Sequence, residues 1–283
     1  CINFIKCFYF FKYYPFGISD PRTENWWLMS GPGPLLTILV TYIYFCKYVG
    51  PHYMRDRKPF DLKNTMIIYN VSQILMKTVL LCETNFTKKQ SVWWYFTAKI
   101  IELLDTIFFV LRKKNRQLTF LHMYHHFMMP ICAWIGVKFL PGGHGTLLGV
   151  INSFIHVIMY SYYLISGMGP QYQKYLWWKQ HVTTLQLVQF CIIFYHNFFV
   201  MFNDCNYPKT INFLLSLNAG LFIYMFGNFY YHNYIKSRKA KESSVTSIAN
   251  GKATFENGTV VTANGKTKEE TLDVVGNRKV KDC

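Results

Sequence analysis

Stretches of about twenty residues with few or no charges recur along this chain, each close to the length an α-helix needs to cross the hydrocarbon core of a bilayer. They lie near 33–50, 64–82, 93–111, 119–139, 146–166, 180–202 and 209–233. In lipid every backbone N–H and C=O must be satisfied within the protein, which leaves helices or a closed barrel. A barrel would alternate polar and apolar residues over short strands, and no sustained period of two occurs. The expected fold is an all-α polytopic membrane protein, with about seven transmembrane helices forming a bundle. Composition agrees: 51% of the 283 residues are hydrophobic and 19% aromatic, beyond what a soluble domain of this size needs for its core.

The net charge of +16 points to topology rather than to nucleic acid. Arg55, Arg57, Lys58, Lys63, Arg112, Lys113, Lys114, Arg116, Lys174 and Lys179 follow the first, third and fifth spans. The even-numbered spans are followed by Lys88, Lys89 and Lys209, with Lys138 at a span end. Ten basic residues against four place the first set in the cytosol. The N-terminus is then lumenal or exterior and the C-terminus cytosolic. The eight cysteines are scattered and form no CxxC pair, so neither a disulfide framework nor a zinc site is expected.

The organisation expected is a lumenal N-terminal segment (1–27), a membrane domain (28–235) and a cytosolic tail (236–283). The chain starts at Cys1 rather than Met and reads as truncated there, with no cleavable signal peptide. The tail is rich in Lys, Glu, Thr, Asn and Gly and reads as disordered. Its Lys279 and Lys281, fifth and third from the end, resemble a dilysine retrieval signal of the endoplasmic reticulum, unless a Lys-rich tail produced the spacing by chance. The sequons at Asn70, Asn85 and Asn257 are expected to be inert.

Ionisable groups inside a span cost about 2.5–3.5 kcal/mol each on insertion scales and mark function or tight pairing by default. The third span carries Lys99-Ile-Ile-Glu102-Leu-Leu-Asp105-Thr106, with Lys99, Glu102 and Thr106 on one face and Asp105 at its edge. Lys99 and Glu102 read as an i,i+3 ion pair, and Asp105 as a carboxylate that orients a histidine on a neighbouring helix. The fourth span opens with His122-Met-Tyr-His125-His126, three imidazoles within one face. The fifth carries a stripe of Asn152, His156, Tyr160 and Tyr163. The sixth carries Thr183, Gln186 and Gln189, with His196 beyond; these polar groups either glue helices together or line a substrate cavity. Four consecutive polar faces converge most economically on one interior site.

Three chemistries compete for that site. A metal-dependent desaturase or hydroxylase also uses HxxHH, but needs several such boxes, and this chain has nine His and one box. A single metal held by His122, His125, His126 and His156 stays open. A transporter with a proton relay would suit intramembrane charges, yet no internal repeat or matched pair of broken spans is present. Acyl chemistry is the third: histidine beside a carboxylate suits thioester attack and proton transfer. The interior would shelter a lipid chain, and basic loops would attract the phosphates of coenzyme A.

Five motifs in order resemble the elongation-of-very-long-chain-fatty-acids family over about residues 18–235. They are Asp20-Pro-Arg-Thr, Lys99-x-x-Glu102-x-x-Asp105-Thr106, His122-x-x-His125-His126, His156-x-x-Met159-Tyr160-x-Tyr162-Tyr163 and Thr183-x-x-Gln186-x-x-Gln189. The resemblance implies an endoplasmic-reticulum 3-oxoacyl-CoA synthase that condenses a long-chain acyl-CoA with malonyl-CoA. It implies a seven-helix bundle around an acyl-chain cavity, no metal or other cofactor, and partners among homo-oligomers and other elongation-cycle enzymes. On that basis His125 attacks the thioester, His156 handles malonyl-CoA or its enolate, Asp105 and Tyr160 orient the imidazoles, and His122 and His126 support them. Cys132, seven residues after His125, is a rival nucleophile. Lys99, Glu102, Asn152, Tyr163, Gln186 and Gln189 are expected to line the substrate, and Arg112, Lys113 and Lys179 to meet the coenzyme A phosphates. Gln117 resembles the branch that includes polyunsaturated and very-long-chain elongases.

Overall fold

The computed structural model describes residues 23–82, 89–139, 145–203, 209–236, 238–239, 242–243, 253–256, 259–262 and 267–268. Most of the N-terminal segment, including Asp20, Pro21 and Arg22 of the first motif, lies outside the described residues, as do Lys88, Asn85 and the Lys279/Lys281 pair.

Every expected span is helical, the third with a break at Glu102 and Leu103. The helices are α1 (Pro32–Met54) and α2 (Lys63–Cys82), then α3 (Lys89–Ile101) and α4 (Leu104–Leu111) in place of the third span. They continue with α5 (Phe120–Phe139), α6 (Gly145–Met168), α7 (Lys179–Phe202) and α8 (Lys209–Tyr230), the last running on as a π-turn through Tyr231–Ile235. Among the described residues five helices are long and apolar enough to cross a membrane: α1, α2, α6, α7 and α8. The other two expected spans fall short for a physical reason. The third is interrupted between α3 and α4, and α5 carries three histidines, Pro130 and Lys138.

The distribution of polarity is the reverse of a water-soluble protein. On α2, Ile68, Leu75 and Val79 are 70%, 61% and 61% exposed, while Gln73 and Lys77 are fully buried. On α7, Val188, Ile192, Tyr195 and Phe199 face outward while Thr183, Gln189 and Asn197 face inward. Against water such faces would be inverted; against lipid, apolar groups belong outside and polar groups inside. The chain is a polytopic all-α membrane protein.

Helix α2 packs along α6, α3 packs on α5 and also meets α2, and α6 packs on α7. The histidines of α5, the carboxylates of the α3–α4 segment and the polar stripe of α6 are thereby carried by adjoining elements. At one end, Phe60 N donates to Leu111 O and Lys113 Nζ to Arg55 O, so the segments following α1 and α4 lie side by side.

The first helix closes on α4 through Gly50. A Cβ there would stand 2.6 Å from Val110 Cγ1 and 3.0 Å from Phe45 O. The turn Phe45–Val49 just before it is a widened π-turn. Pro51 provides a reason, since proline lacks an N–H and crowds the carbonyl four residues back. Gly50→Ala is expected to lower stability by about 1–3 kcal/mol through overpacking, read as a lower thermal midpoint of the purified protein in detergent.

Contacts divide the chain at Ile223/Tyr224, inside α8, into two units. Within the second unit, in the region that composition reads as disordered, three short strands form an antiparallel sheet: β1 (Ala253–Glu256), β2 (Thr259–Thr262) and β3 (Thr267–Lys268). Glu256 pairs with Thr259 across Asn257-Gly258. Asn-Gly between β-prone runs is the strongest local hairpin signal in a sequence, and it separates β1 from β2 here.

Candidate active site

The α3–α4 junction sets the geometry. Leu103 N bonds Ile100 O and Asp105 N bonds Glu102 O, both at 3.2 Å. These i→i+3 bonds tighten the turn relative to the α-helical ladder, a feature that often marks a functional point within a helix. Both carboxylates of the region sit on it.

Glu102 is the hub. Its Oε1 lies 2.6 Å from Lys77 Nζ, and its Oε2 lies 2.9 Å from Lys99 Nζ. The same Oε1 faces His156 Nδ1 at 3.2 Å, close but not aligned as a hydrogen bond. Lys99 Nζ also donates to Asn152 Oδ1 at 2.6 Å, and Tyr95 OH donates to the same oxygen at 3.0 Å. Both ammonium groups stand over the Tyr95 ring, at 5.3 and 5.1 Å from its centroid. Glu102, Lys77 and Lys99 are at most 1% exposed. A buried charge persists only when paired and hydrogen-bonded, and here one carboxylate answers two ammoniums.

Asp105 was expected to orient a histidine. Instead its Oδ2 accepts from Tyr160 OH at 2.8 Å, and the carboxylate facing an imidazole is Glu102. The neighbouring Thr106 takes the orienting position: its Oγ1 lies 2.9 Å from His122 Nε2 and 2.7 Å from Tyr42 OH. Tyr160 is fully buried, edge-on to His156 with centroids 5.8 Å apart.

The three histidines of α5 form a continuous ring contact. His122 and His126 have centroids 4.2 Å apart, and His125 and His126 5.3 Å. His126 is buried; His122 and His125 keep part of their surface accessible. His125 also meets Phe222 of α8 edge-on at 5.4 Å. The charges of Lys99 and Glu102, and His156, act on both His125 and His126. Cys132, further along α5, accepts from Asn218 Nδ2 at 3.7 Å. Among the described residues no three His, Cys, Asp or Glu side chains converge to hold a metal ion.

The remaining expected residues sit at varied distances from this centre. Gln186 Nε2 contacts Met159 Sδ at 3.3 Å, and Gln189 is buried with no partner for its Oε1. Tyr163 is 38% exposed and touches Tyr160 and Tyr162 edge-on. Arg112 contacts Met66 Sδ, Lys113 bonds the Arg55 carbonyl, and Lys179 is exposed at the start of α7. Sequence reading missed Lys77, Tyr42 and Tyr95. Lys77 carried a usable signal, being a lysine deep in an apolar run, where an ion-pair partner is expected by default. The two tyrosines carried none, since aromatic residues abound in every span.

The family model described as ELO: GNS1/SUR4 matches residues 27–91 and 81–242. A very long chain fatty acid elongase of Aedes aegypti is 42% identical over 250 residues, 80% of this chain and 70% of that protein. Very long chain fatty acid elongase 7 of Drosophila melanogaster is 39% identical over 88% of this chain and 84% of its own length. Very long chain fatty acid elongase 4 of Homo sapiens is also 39% identical, over 95% and 89%. A family match that takes in the histidine box and every helix of the site, with relatives this similar over most of their lengths, means that the chain belongs to the ELO (GNS1/SUR4) family.

Proposed function

We propose that this fatty acid elongase is a 3-oxoacyl-CoA synthase of the endoplasmic-reticulum membrane, acting on long-chain acyl-CoA and malonyl-CoA without a metal or other cofactor. The observation that carries the reading is His125: a half-buried residue inside an apolar bundle, its imidazole in ring contact with a second histidine and within the field of Glu102, Lys99 and His156. An imidazole nitrogen of His125 attacks the acyl thioester carbonyl. The carbon–sulfur bond breaks, and the coenzyme A thiolate takes up the proton that the imidazole gives up. Malonyl-CoA loses CO2, and the electron pair of that bond becomes the enolate. The enolate carbon attacks the acyl carbonyl, the carbon–nitrogen bond breaks, and the imidazole takes back a proton.

In this reading His156, steadied by Glu102, serves the malonyl half, and Tyr160 with Asp105 holds the His156 side of the site. The Tyr42–Thr106 pair orients His122, and His126 spaces the two outer rings. Arg112, Lys113 and Lys179 meet the coenzyme A phosphates, because guanidinium and ammonium groups at the helix ends suit them. The α3–α4 pair and α5 cross as the third and fourth of seven spans. The N-terminus is lumenal and the tail cytosolic, where Lys279 and Lys281 act in retrieval.

Membranes containing the chain, given labelled malonyl-CoA and a panel of acyl-CoAs, are expected to form 3-oxoacyl-CoA two carbons longer, with release of one CO2 each. Products desaturated or hydroxylated without incorporation of label would overturn the reading in favour of oxidative chemistry.

A further inference from the structure

Buried polar atoms without partners are rare in proteins, and in a bundle enclosed by lipid the bulk solvent cannot satisfy them. Helix α2 and the helix packed along it, α6, nevertheless carry four: Asn70 Nδ2, both amide atoms of Gln73 and, one turn from His156, Ser153 Oγ. These three side chains are at most 2% exposed. Asn70, Gln73 and Lys77 follow i, i+3 and i+7, so they form one row on the inner face of α2. With α2 starting at Lys63, that row runs from about 10 to about 21 Å into the helix at 1.5 Å per residue. It ends at the Glu102 hub, where Lys77 Nζ and His156 Nδ1 both approach Oε1.

Helix glue does not explain Asn70 and Gln73, because interhelical glue consists of hydrogen bonds made and Asn70 Nδ2 and the Gln73 amide make none. Spacing does suit bridging molecules: neighbouring side chains three or four apart stand about 5–6 Å apart, the span that one water covers. A buried water binds where two to four polar groups converge.

We propose that Asn70, Gln73, Lys77 and Ser153 form an internal water-binding seam between α2 and α6 that supplies a proton to the Glu102–His156 pair during condensation. The inference rests on the condensing reading above. Summed over the cycle, acyl-CoA, malonyl-CoA carboxylate and one proton give 3-oxoacyl-CoA, CO2 and coenzyme A thiol. The proton given up by His125 leaves with the thiol. When the enolate displaces the imidazole, a new proton must therefore come from outside and end on the His125 nitrogen. Lys77 ends the row at Glu102. The charged and titratable groups around that end are Tyr95, Lys99 and Glu102 of the α3–α4 segment and His156 of α6, with Asp105 tied to Tyr160.

The test uses the full chain with Gln73→Leu and, separately, Asn70→Leu. Each variant removes one lining group of the seam and keeps its volume, so the thermal midpoint in detergent is expected to shift by a few degrees at most. Exchange of labelled coenzyme A with acyl-CoA, which needs no outside proton, is expected to stay within about twofold of wild type, while condensation turnover falls roughly tenfold or more, the lower range of general acid–base contributions. The solvent deuterium isotope effect on turnover is expected to grow, the malonyl-CoA KM to change little, and Gln73→Asn to recover part of the turnover. Condensation at the wild-type rate with an unchanged isotope effect would overturn the seam. So would exchange and condensation falling together, which marks a structural role. A wild-type control that makes no 3-oxoacyl product overturns the condensing reading itself, and the seam with it.

Discussion

Elongated product is expected to disappear from membranes carrying His125→Ala and to persist in those carrying Cys132→Ala. Loss of a nucleophile that forms a covalent intermediate costs on the order of 10⁴-fold or more in turnover, so the first variant should fall to background. The site gives the thiol little standing as the acceptor. Cys132 lies seven residues beyond His125, about 10 Å further along the helix, and its sulfur is engaged by Asn218. His125 meets His126 and feels the charges of the Glu102 cluster. The measurement is formation of 3-oxoacyl-CoA from labelled malonyl-CoA, together with mass spectrometry of the trapped acyl-enzyme, in which the adduct should sit on the peptide of His125. A Cys132→Ala chain that lost activity beside an active His125→Ala chain would reverse the assignment.

Removing the hub charge should cost more in stability than any other single change. Glu102→Gln leaves Lys77 and Lys99 facing each other in a buried interior without their shared carboxylate. Breaking a buried pair from one side typically costs about 3–5 kcal/mol, and here two ammoniums are orphaned together. The variant is expected to unfold at a markedly lower temperature and to be inactive. Adding Lys77→Met removes one of the stranded charges. The double variant is expected to regain about 1–3 kcal/mol relative to Glu102→Gln, the usual range of coupling between contacting residues, and to show this as a higher thermal midpoint in detergent. It should stay inactive, because His156 still lacks the carboxylate charge that faces its Nδ1. A Glu102→Gln chain as stable as wild type would remove Glu102 from its place as the structural hub.

Periodicity and hydropathy made the helices legible, because bilayer thickness fixes the length of an apolar span and leaves little else for such a chain to do. The helical face occupied by His122, His125 and His126 was equally legible, since residues three and four apart share a face on any α-helix. The partners of those residues were not. Asp105 looked the better carboxylate for an imidazole, yet the tightened turn at Glu102 and Leu103 aims Asp105 at Tyr160 and leaves Glu102 facing His156.

The chain by itself determines a polytopic helical membrane protein, a histidine box at the start of one helix, and the acidic and polar residues that must be buried with it. Those follow from covalent order and helical period, which are properties of single segments. Tertiary structure alone decided that Lys77 of α2 shares Glu102 with Lys99, that Tyr42 reaches His122 through Thr106, and that Asn70 Nδ2 and the Gln73 amide are buried without partners. Such contacts join residues up to 64 positions apart in these examples, and the choice among many possible partners is made by which helices pack together, which no local pattern encodes.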